Sequence, residues 1–208
     1  MEAHTLIATY DILPDADLAG ALLEIIPGIP EWRRRKVLSY RFDIDKFLCA
    51  KAFLMLEESL KSYGLAECPE FSYGTFGKPY FMEYPGIHFN ISHCSRGIAC
   101  AVSDSPVGID IERIQYDDLT AQKVLNADEY RKTKASGNPA EIFTELWTKK
   151  ESLLKLAGLG LVDDMRDVIT DYEGIHCRSV IDKKRDYVYS LACNQVSFPK
   201  ITKFEYRF

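Results

Sequence analysis

Two long helical stretches lie at similar depths in the two halves of this chain, and each is followed by runs of strand character. The first opens at Asp43, a candidate N-cap, and continues to about Leu60, with Phe47, Leu48, Leu54 and Met55 among its core positions. The second follows Asn138-Pro139, runs from about Ala140 to Ala157 and stops at Gly158. Strand signals precede the first at Thr5 to Tyr10. Between the two they run from Ile87 to Ile91, Ile98 to Ser103 and Val107 to Ile111, punctuated by Gly86, Gly97 and Ser105-Pro106. Tyr187 to Ala192 and Ile201 to Tyr206 return to strand character after the second. The pattern is α+β. Its helix-then-strands repetition hints at duplication with a seam near Asp104, so halves 1–104 and 105–208 are expected within one compact unit, although no sequence repeat accompanies it.

Composition narrows the function classes. With 208 residues and 47% hydrophobic content, the chain can bury a sizeable core. No run of about 18 apolar residues occurs, so no transmembrane helix is expected. Met1 to Tyr10 lacks a basic region followed by an apolar stretch, and no secretory signal is read. Cys49, Cys68, Cys94, Cys100, Cys177 and Cys193 form no C-x-x-C pair; they read as buried thiols of a reducing, cytoplasmic compartment. A net charge of −5 argues against a nucleic-acid partner. The basic runs Arg33-Arg34-Arg35-Lys36 and Lys149-Lys150 suit anionic ligands or acidic partners, or are simply solvated faces.

Three segments carry chemistry. In Val107-Gly108-Ile109-Asp110-Ile111-Glu112, strand alternation puts Val107, Ile109 and Ile111 on one face and Gly108, Asp110 and Glu112 on the other. The two carboxylates then stand about 7 Å apart on one surface. A hard divalent cation such as magnesium would relieve their repulsion; the alternative is a solvated acidic face. In Trp147-Thr148-Lys149-Lys150-Glu151-Ser152-Leu153-Leu154-Lys155, Glu151 and Lys155 share a helical face with Trp147, at the edge of an apolar stripe. Glu151 is thus placed for pKa tuning, or for an ordinary i,i+4 ion pair with Lys155. The third segment joins Gly77-Lys78-Pro79 to His88-Phe89-Asn90-Ile91-Ser92-His93. Lys78 could meet a phosphate from a loop stiffened by Pro79, and Ser92 and His93 end a strand, where ligand contacts collect. His88 and His93 face opposite ways, which argues against zinc. Neither of the usual glycine-rich nucleotide loops is present.

In this order, Gly77-Lys78-Pro79, Phe89-Asn90-Ile91-Ser92-His93, Gly108-Ile109-Asp110-Ile111-Glu112 and Trp147-Thr148-Lys149-Lys150-Glu151 through Lys155, Gly158 and Gly160 resemble the 4′-phosphopantetheinyl transferases. The likeness is greatest to the longer branch that activates nonribosomal peptide and polyketide synthases, and is strongest from Gly77 to Leu161. The resemblance implies two similar α+β halves related by a pseudo-twofold, with the active site in the cleft between them, in a monomer. It implies transfer of 4′-phosphopantetheine from coenzyme A to a serine of an acyl or peptidyl carrier protein. Asp110, Glu112 and Glu151 match its Mg2+ ligands, Glu151 also its base, and Lys155 the group that meets the departing adenosine 3′,5′-bisphosphate. Lys78, Pro79, Ser92 and His93 match coenzyme A contacts. Arg35 is the best candidate of the basic run for a further phosphate contact. Lys46, aligned across a one-residue gap, stands where the family often has an arginine for the 3′-phosphate; lysine keeps the charge and loses the bidentate fork.

The segment Ile114 to Tyr130 is expected to help dock the carrier through Tyr116, Leu119, Val124 and Leu125, unless these residues pack into the core; Lys123, Arg131 and Lys132 would steer an acidic partner. Two other readings are a magnesium-dependent hydrolase or transferase acting on another nucleotide pyrophosphate, and a non-catalytic carrier-binding protein.

Overall fold

The computed structural model describes residues 5–12, 17–160, 162–168, 173–194 and 201–203. Strand β1 (Thr5–Asp11) leads through α1 (Leu18–Ile25) and α2 (Glu31–Leu38) to the long α3 (Asp43–Leu60). A short hairpin, β2 (Ser72–Tyr73) and β3 (Pro79–Tyr80), precedes β4 (His88–Cys94) and β5 (Gly97–Ser103). Then follow β6 (Val107–Arg113), α4 (Asp118–Val124), α5 (Ala127–Ala135), α6 (Pro139–Ala157), β7 (His176–Asp182), β8 (Tyr187–Cys193) and β9 (Ile201–Lys203). The α+β expectation holds, and the long helices fall where the pattern places them. Asp43, however, is the first helical residue and not the cap. Phe42 holds the N-cap position without a side-chain hydrogen bond, and Asp43 pairs with Lys46 at 2.8 Å. The last predicted strand begins at Ile201, but its end, 204–206, lies outside the described residues.

Among the described residues the sheets are β4-β5-β1-β9 and β6-β8-β7, with β2-β3 apart. β1, β4 and β5 pair antiparallel, as do β6, β7 and β8, and β9 lies parallel to β1. A strand, a long helix and a hairpin thus recur: β1, α3, β4 and β5, then β6, α6, β7 and β8. Both hairpins leave the leading strand beside the second hairpin strand. By pairing, β9 belongs to the first sheet although it comes from the second half of the chain.

The core explains the layering. Ile7, Ala99 and Ala101 from the first sheet pack against Val107, Ile109, Ile111, Tyr187, Tyr189 and Leu191 from the second. These are the period-2 positions of their strands, so one face of each sheet closes on the other. The opposite face of the first sheet packs on α1 and α3 through Ala8, Cys100, Val102, Phe47 and Phe53. Gly108, on the opposite face of β6, meets the backbone of α6. A Cβ there would lie 2.0 Å from the Ser152 carbonyl oxygen. The far end of the joint is polar: Tyr187 donates to Asp11 at 2.8 Å, Arg185 pairs with Asp11, and Arg96 and Arg113 share Asp186. Among the described residues no helix is long and apolar enough to cross a membrane.

Candidate active site

The alternation read in Val107 to Glu112 is what builds the site. Its apolar residues go to the inter-sheet core, so Gly108 and Asp110 must face α6. The absent side chain at Gly108 lets that helix close down, and its close approach brings Glu151 and Lys155 over the strand. Asp110 is only 2% exposed. Its Oδ1 accepts from Ser92 Oγ at 2.8 Å and from Lys155 Nζ at 2.5 Å, and the ammonium also donates to Ser92 Oγ at 2.8 Å. Lys155 therefore turns to a carboxylate distant in sequence, where an i,i+4 reading would pair it with Glu151. The other carboxylate oxygen, Oδ2, is buried and has no hydrogen-bond partner.

Glu112 and Glu151 both feel the charge of Asp110. Burial first, then repulsion from Asp110, push the Glu112 carboxyl up to about 8, with Lys155 opposing and Glu151 adding. Glu151 is raised by the same burial and by Asp110, against Lys155 and a hydrogen bond from Trp147. Two carboxyl groups that resist ionising beside an unsatisfied carboxylate oxygen are a hard-oxygen set short of positive charge. That chemistry fits a divalent cation. Among the described residues no three His, Cys, Asp or Glu side chains are gathered closely enough to hold a metal ion as they stand, so binding one requires these flexible side chains to draw together.

A pH test follows. The folded-state pKa of Glu112 lies above its ordinary 4.5, so the folded chain holds a proton that the unfolded chain has released. The associated stability is present below pH 4.5 and lost as pH rises through about 8. Urea unfolding between pH 5 and 8 should show a decline of up to about 1.4 kcal/mol per pH unit from this group. Glu112→Gln should flatten it, and saturating magnesium should flatten it in the parent protein. Parallel profiles for parent and variant would refute the assignment.

The remaining wall comes from the first half of the chain. Asn90 and Ser92 share a face of β4; Asn90 Oδ1 accepts from the Ile109 amide at 2.9 Å, which ties β4 to β6. Asn90 was not singled out from sequence, although its i,i+2 spacing to Ser92 is the signal that finds it. A cavity of about 220 Å³ opens beside it, lined by Phe76, Gly77, Lys78, Pro79, Asn90, Glu151, Lys155, Gly158 and Gly160. The Gly77-Lys78-Pro79 segment and residues of the Glu151 to Gly160 segment thus line one cavity. His93, at the end of β4, reaches solvent, yet desolvation of its ring and then Lys155 hold its pKa below the ordinary value, with Asp45 opposing. Lys46, in the first turn of α3, pairs with Asp43 at 2.8 Å and is not among the residues that line the cavity.

The cationic candidates divide. Lys78 donates from Nζ to the carbonyls of Leu156 at 3.0 Å and Val107 at 3.2 Å, and burial lowers its pKa to about 8. Arg35 is 78% exposed and pairs with Glu31, outside the residues that line the cavity. Of its neighbours, Arg33 lies over the rings of Phe53 and Phe71 and Arg34 donates to the Ile29 carbonyl, so most of that run serves the fold. Lys150 is fully buried, bonded to Glu129 and to the carbonyls of Val124 and Met165, and is no part of a surface patch. The expected docking segment is corrected likewise. Val124 and Leu125 are core, and Tyr116 packs edge-on against Phe143, because α4 buries its apolar stripe on α6; Leu119 remains 73% exposed.

Residues 106–196 match the model of the 4′-phosphopantetheinyl transferase superfamily. Over 112 residues, 52% of this chain and 50% of the relative, the sequence is 38% identical to a 4′-phosphopantetheinyl transferase of Bacillus subtilis. It is 45% identical over 89 residues to the 4′-phosphopantetheinyl transferase gsp of Aneurinibacillus migulanus, covering 41% of this chain and 37% of that one. It is 35% identical over 105 residues to the 4′-phosphopantetheinyl transferase AcpT of Salmonella typhi, covering 48% of this chain and 55% of that one. The chain spans about half the length, or less, of these curated relatives.

Proposed function

We propose that this chain, whose residues 106–196 match the model of the 4′-phosphopantetheinyl transferase superfamily, moves the 4′-phosphopantetheine group of coenzyme A onto a serine of an acyl or peptidyl carrier protein. The observation that carries the reading is the buried Asp110, bonded to Lys155 and Ser92 through one oxygen, with its second oxygen unpartnered, while burial and its charge raise the Glu112 and Glu151 carboxyls. A solvated acidic face would show none of this. The recurring strand–helix–hairpin order supports two halves, 1–104 and 105–208, related by a pseudo-twofold, with the cavity in the cleft between them. The protein is read as a cytoplasmic monomer.

In this mechanism Asp110, Glu112 and Glu151 would hold magnesium. Bound there, the cation would neutralise the pyrophosphate and the charge that builds on the leaving oxygen. The chain's own groups do the rest. Glu151 accepts the proton of the carrier serine as its oxygen bonds to phosphorus. The pyrophosphate P–O bond breaks, and adenosine 3′,5′-bisphosphate leaves with the electron pair. Lys155, at the same edge of the cavity, meets that departing charge. Pro79, Ser92 and His93 shape the coenzyme A site, with Lys46 and Arg35 proposed for its outer phosphates. Carrier-dependent consumption of coenzyme A tests the reading; consumption at the same rate without a carrier favours a pyrophosphate hydrolase.

The exposed Leu119, one turn from Lys123 on α4, is proposed as part of the carrier surface, with the exposed Arg131 and Lys132 of α5 as its basic contribution. Leu119→Ser should raise the KM for carrier protein about fivefold or more, in line with a lost apolar contact of about 1 kcal/mol. The KM for coenzyme A should stay put. Equal changes in both, by steady-state kinetics, would place docking elsewhere.

A further inference from the structure

The ammonium of Lys78 sits where two backbone elements of the site come together. The last carbonyls of a helix lack intrahelical donors. In α6 the turn at Gly158, in the left-handed region at φ 68°, closes on two of them: Gly158 N–H reaches the Lys155 carbonyl and Leu159 N–H the Leu154 carbonyl. The Leu156 carbonyl is taken by Lys78 Nζ, so a cation from another element caps the negative end of the helix that carries Glu151 and Lys155. The second acceptor is the carbonyl of Val107, the first residue of β6, the strand that carries Asp110 and Glu112. β6 is an edge strand, and Asn90 already satisfies the Ile109 amide on it. Lys78 and Asn90 together therefore occupy edge groups that β8 does not reach.

The stem of Lys78 is seated as well. A side chain at Gly158 would come within 3.4 Å of Lys78 Cδ, and one at Gly160 within 3.2 Å of Phe76 Cβ. The tip of the β2–β3 hairpin thus rests on the Gly158-Leu159-Gly160 turn with no intervening side chain. Phe76, Gly77, Lys78 and Pro79 all line the cavity.

We propose that Lys78 is a positioning residue: it clamps the start of β6 to the end of α6, setting the spacing between Asp110 and Glu112 on one side and Glu151 and Lys155 on the other, and it does not bind a phosphate. The proposal rests on the transferase reading for its kinetic consequence, not for the clamp itself.

The test compares Lys78→Met, which keeps the stem and removes the donor, with Lys78→Gln, which is neutral but still donates. Three quantities decide it: kcat for carrier modification, coenzyme A affinity by calorimetry at two salt concentrations, and hydrogen exchange at the Gly158 and Leu159 amides. Lys78→Met should lower kcat at least tenfold, leave coenzyme A affinity within twofold with unchanged salt dependence, and speed exchange at both amides. Lys78→Gln should recover part of each loss, including in the event that Lys78→Met does not fold. A fall in coenzyme A affinity matching the fall in kcat, with weaker salt dependence and no rescue by glutamine, would make Lys78 a phosphate contact and overturn the proposal. Unchanged exchange would overturn it too. Faster exchange in a protein whose parent form modifies no carrier would leave the clamp standing and sink the transferase reading instead.

Discussion

Asp110→Asn should cut phosphopantetheine transfer by at least about a thousandfold, at the upper end of what one preorganised charge contributes to such chemistry. The substitution keeps the shape of the side chain and changes only its charge. Asp110 Oδ1 takes hydrogen bonds from both Ser92 and Lys155, and its Oδ2 is the orphan atom of the site. An amide can still accept from Ser92. It no longer neutralises Lys155, and it presents an N–H where the proposed cation would need a lone pair. Stability should change little by comparison. Removing one member of a buried pair normally costs about 3–5 kcal/mol. The Lys155 side chain, however, is 26% exposed and can turn to water. Loss of the charge also relieves the repulsion that raises Glu112 and Glu151. A net change within about 2 kcal/mol is expected by urea unfolding. Activity within tenfold of the parent would remove Asp110 from the chemistry.

Gly108→Ala is expected to have the largest effect on stability, about 3 kcal/mol or more, because it overpacks against main chain. The new Cβ would stand 2.0 Å from the Ser152 carbonyl oxygen and 2.4 Å from the Leu156 amide nitrogen. No rotamer change relieves a clash with a helix backbone, so α6 must move off β6 as a body. That displacement carries Glu151 and Lys155 away from Asp110, and transfer should fall even at temperatures where the variant is folded. Gly28→Ala is the control, since nothing lies within 4 Å of a Cβ there, and it should be near neutral. Equal midpoints for the two variants in thermal unfolding would show that the strand–helix contact is looser than described.

The parts of the site legible from sequence were those encoded by period. Alternation along β6 separated Val107, Ile109 and Ile111 from Gly108, Asp110 and Glu112, and the structure sends the two sets to opposite faces. The long helices were equally readable, since Pro139 and Gly158 mark the ends of α6. Partners distant along the chain were not. Lys155 has Glu151 one turn away in sequence, yet it bonds to Asp110, because only packing of α6 on β6 brings that carboxylate near. For the same reason Lys78 read as a charge waiting for a phosphate, where folding supplies it with two carbonyls. Lys150 read as half of a basic patch, but its position on α6 points it under α4 and α5. The short helices were missed for another reason. They are about two turns long and their apolar stripes are brief, although the Asn126–Glu129 capping box was a local signal for α5.

The most direct test of the central claim is intact-mass analysis of several purified carrier proteins incubated with this protein, coenzyme A and magnesium. The account predicts that at least one carrier gains the mass of a single phosphopantetheine arm, that replacing its acceptor serine by alanine abolishes the gain, and that excess chelator or Asp110→Asn does the same. Carriers left unmodified by active, folded preparations, or modified equally by Asp110→Asn, would contradict it.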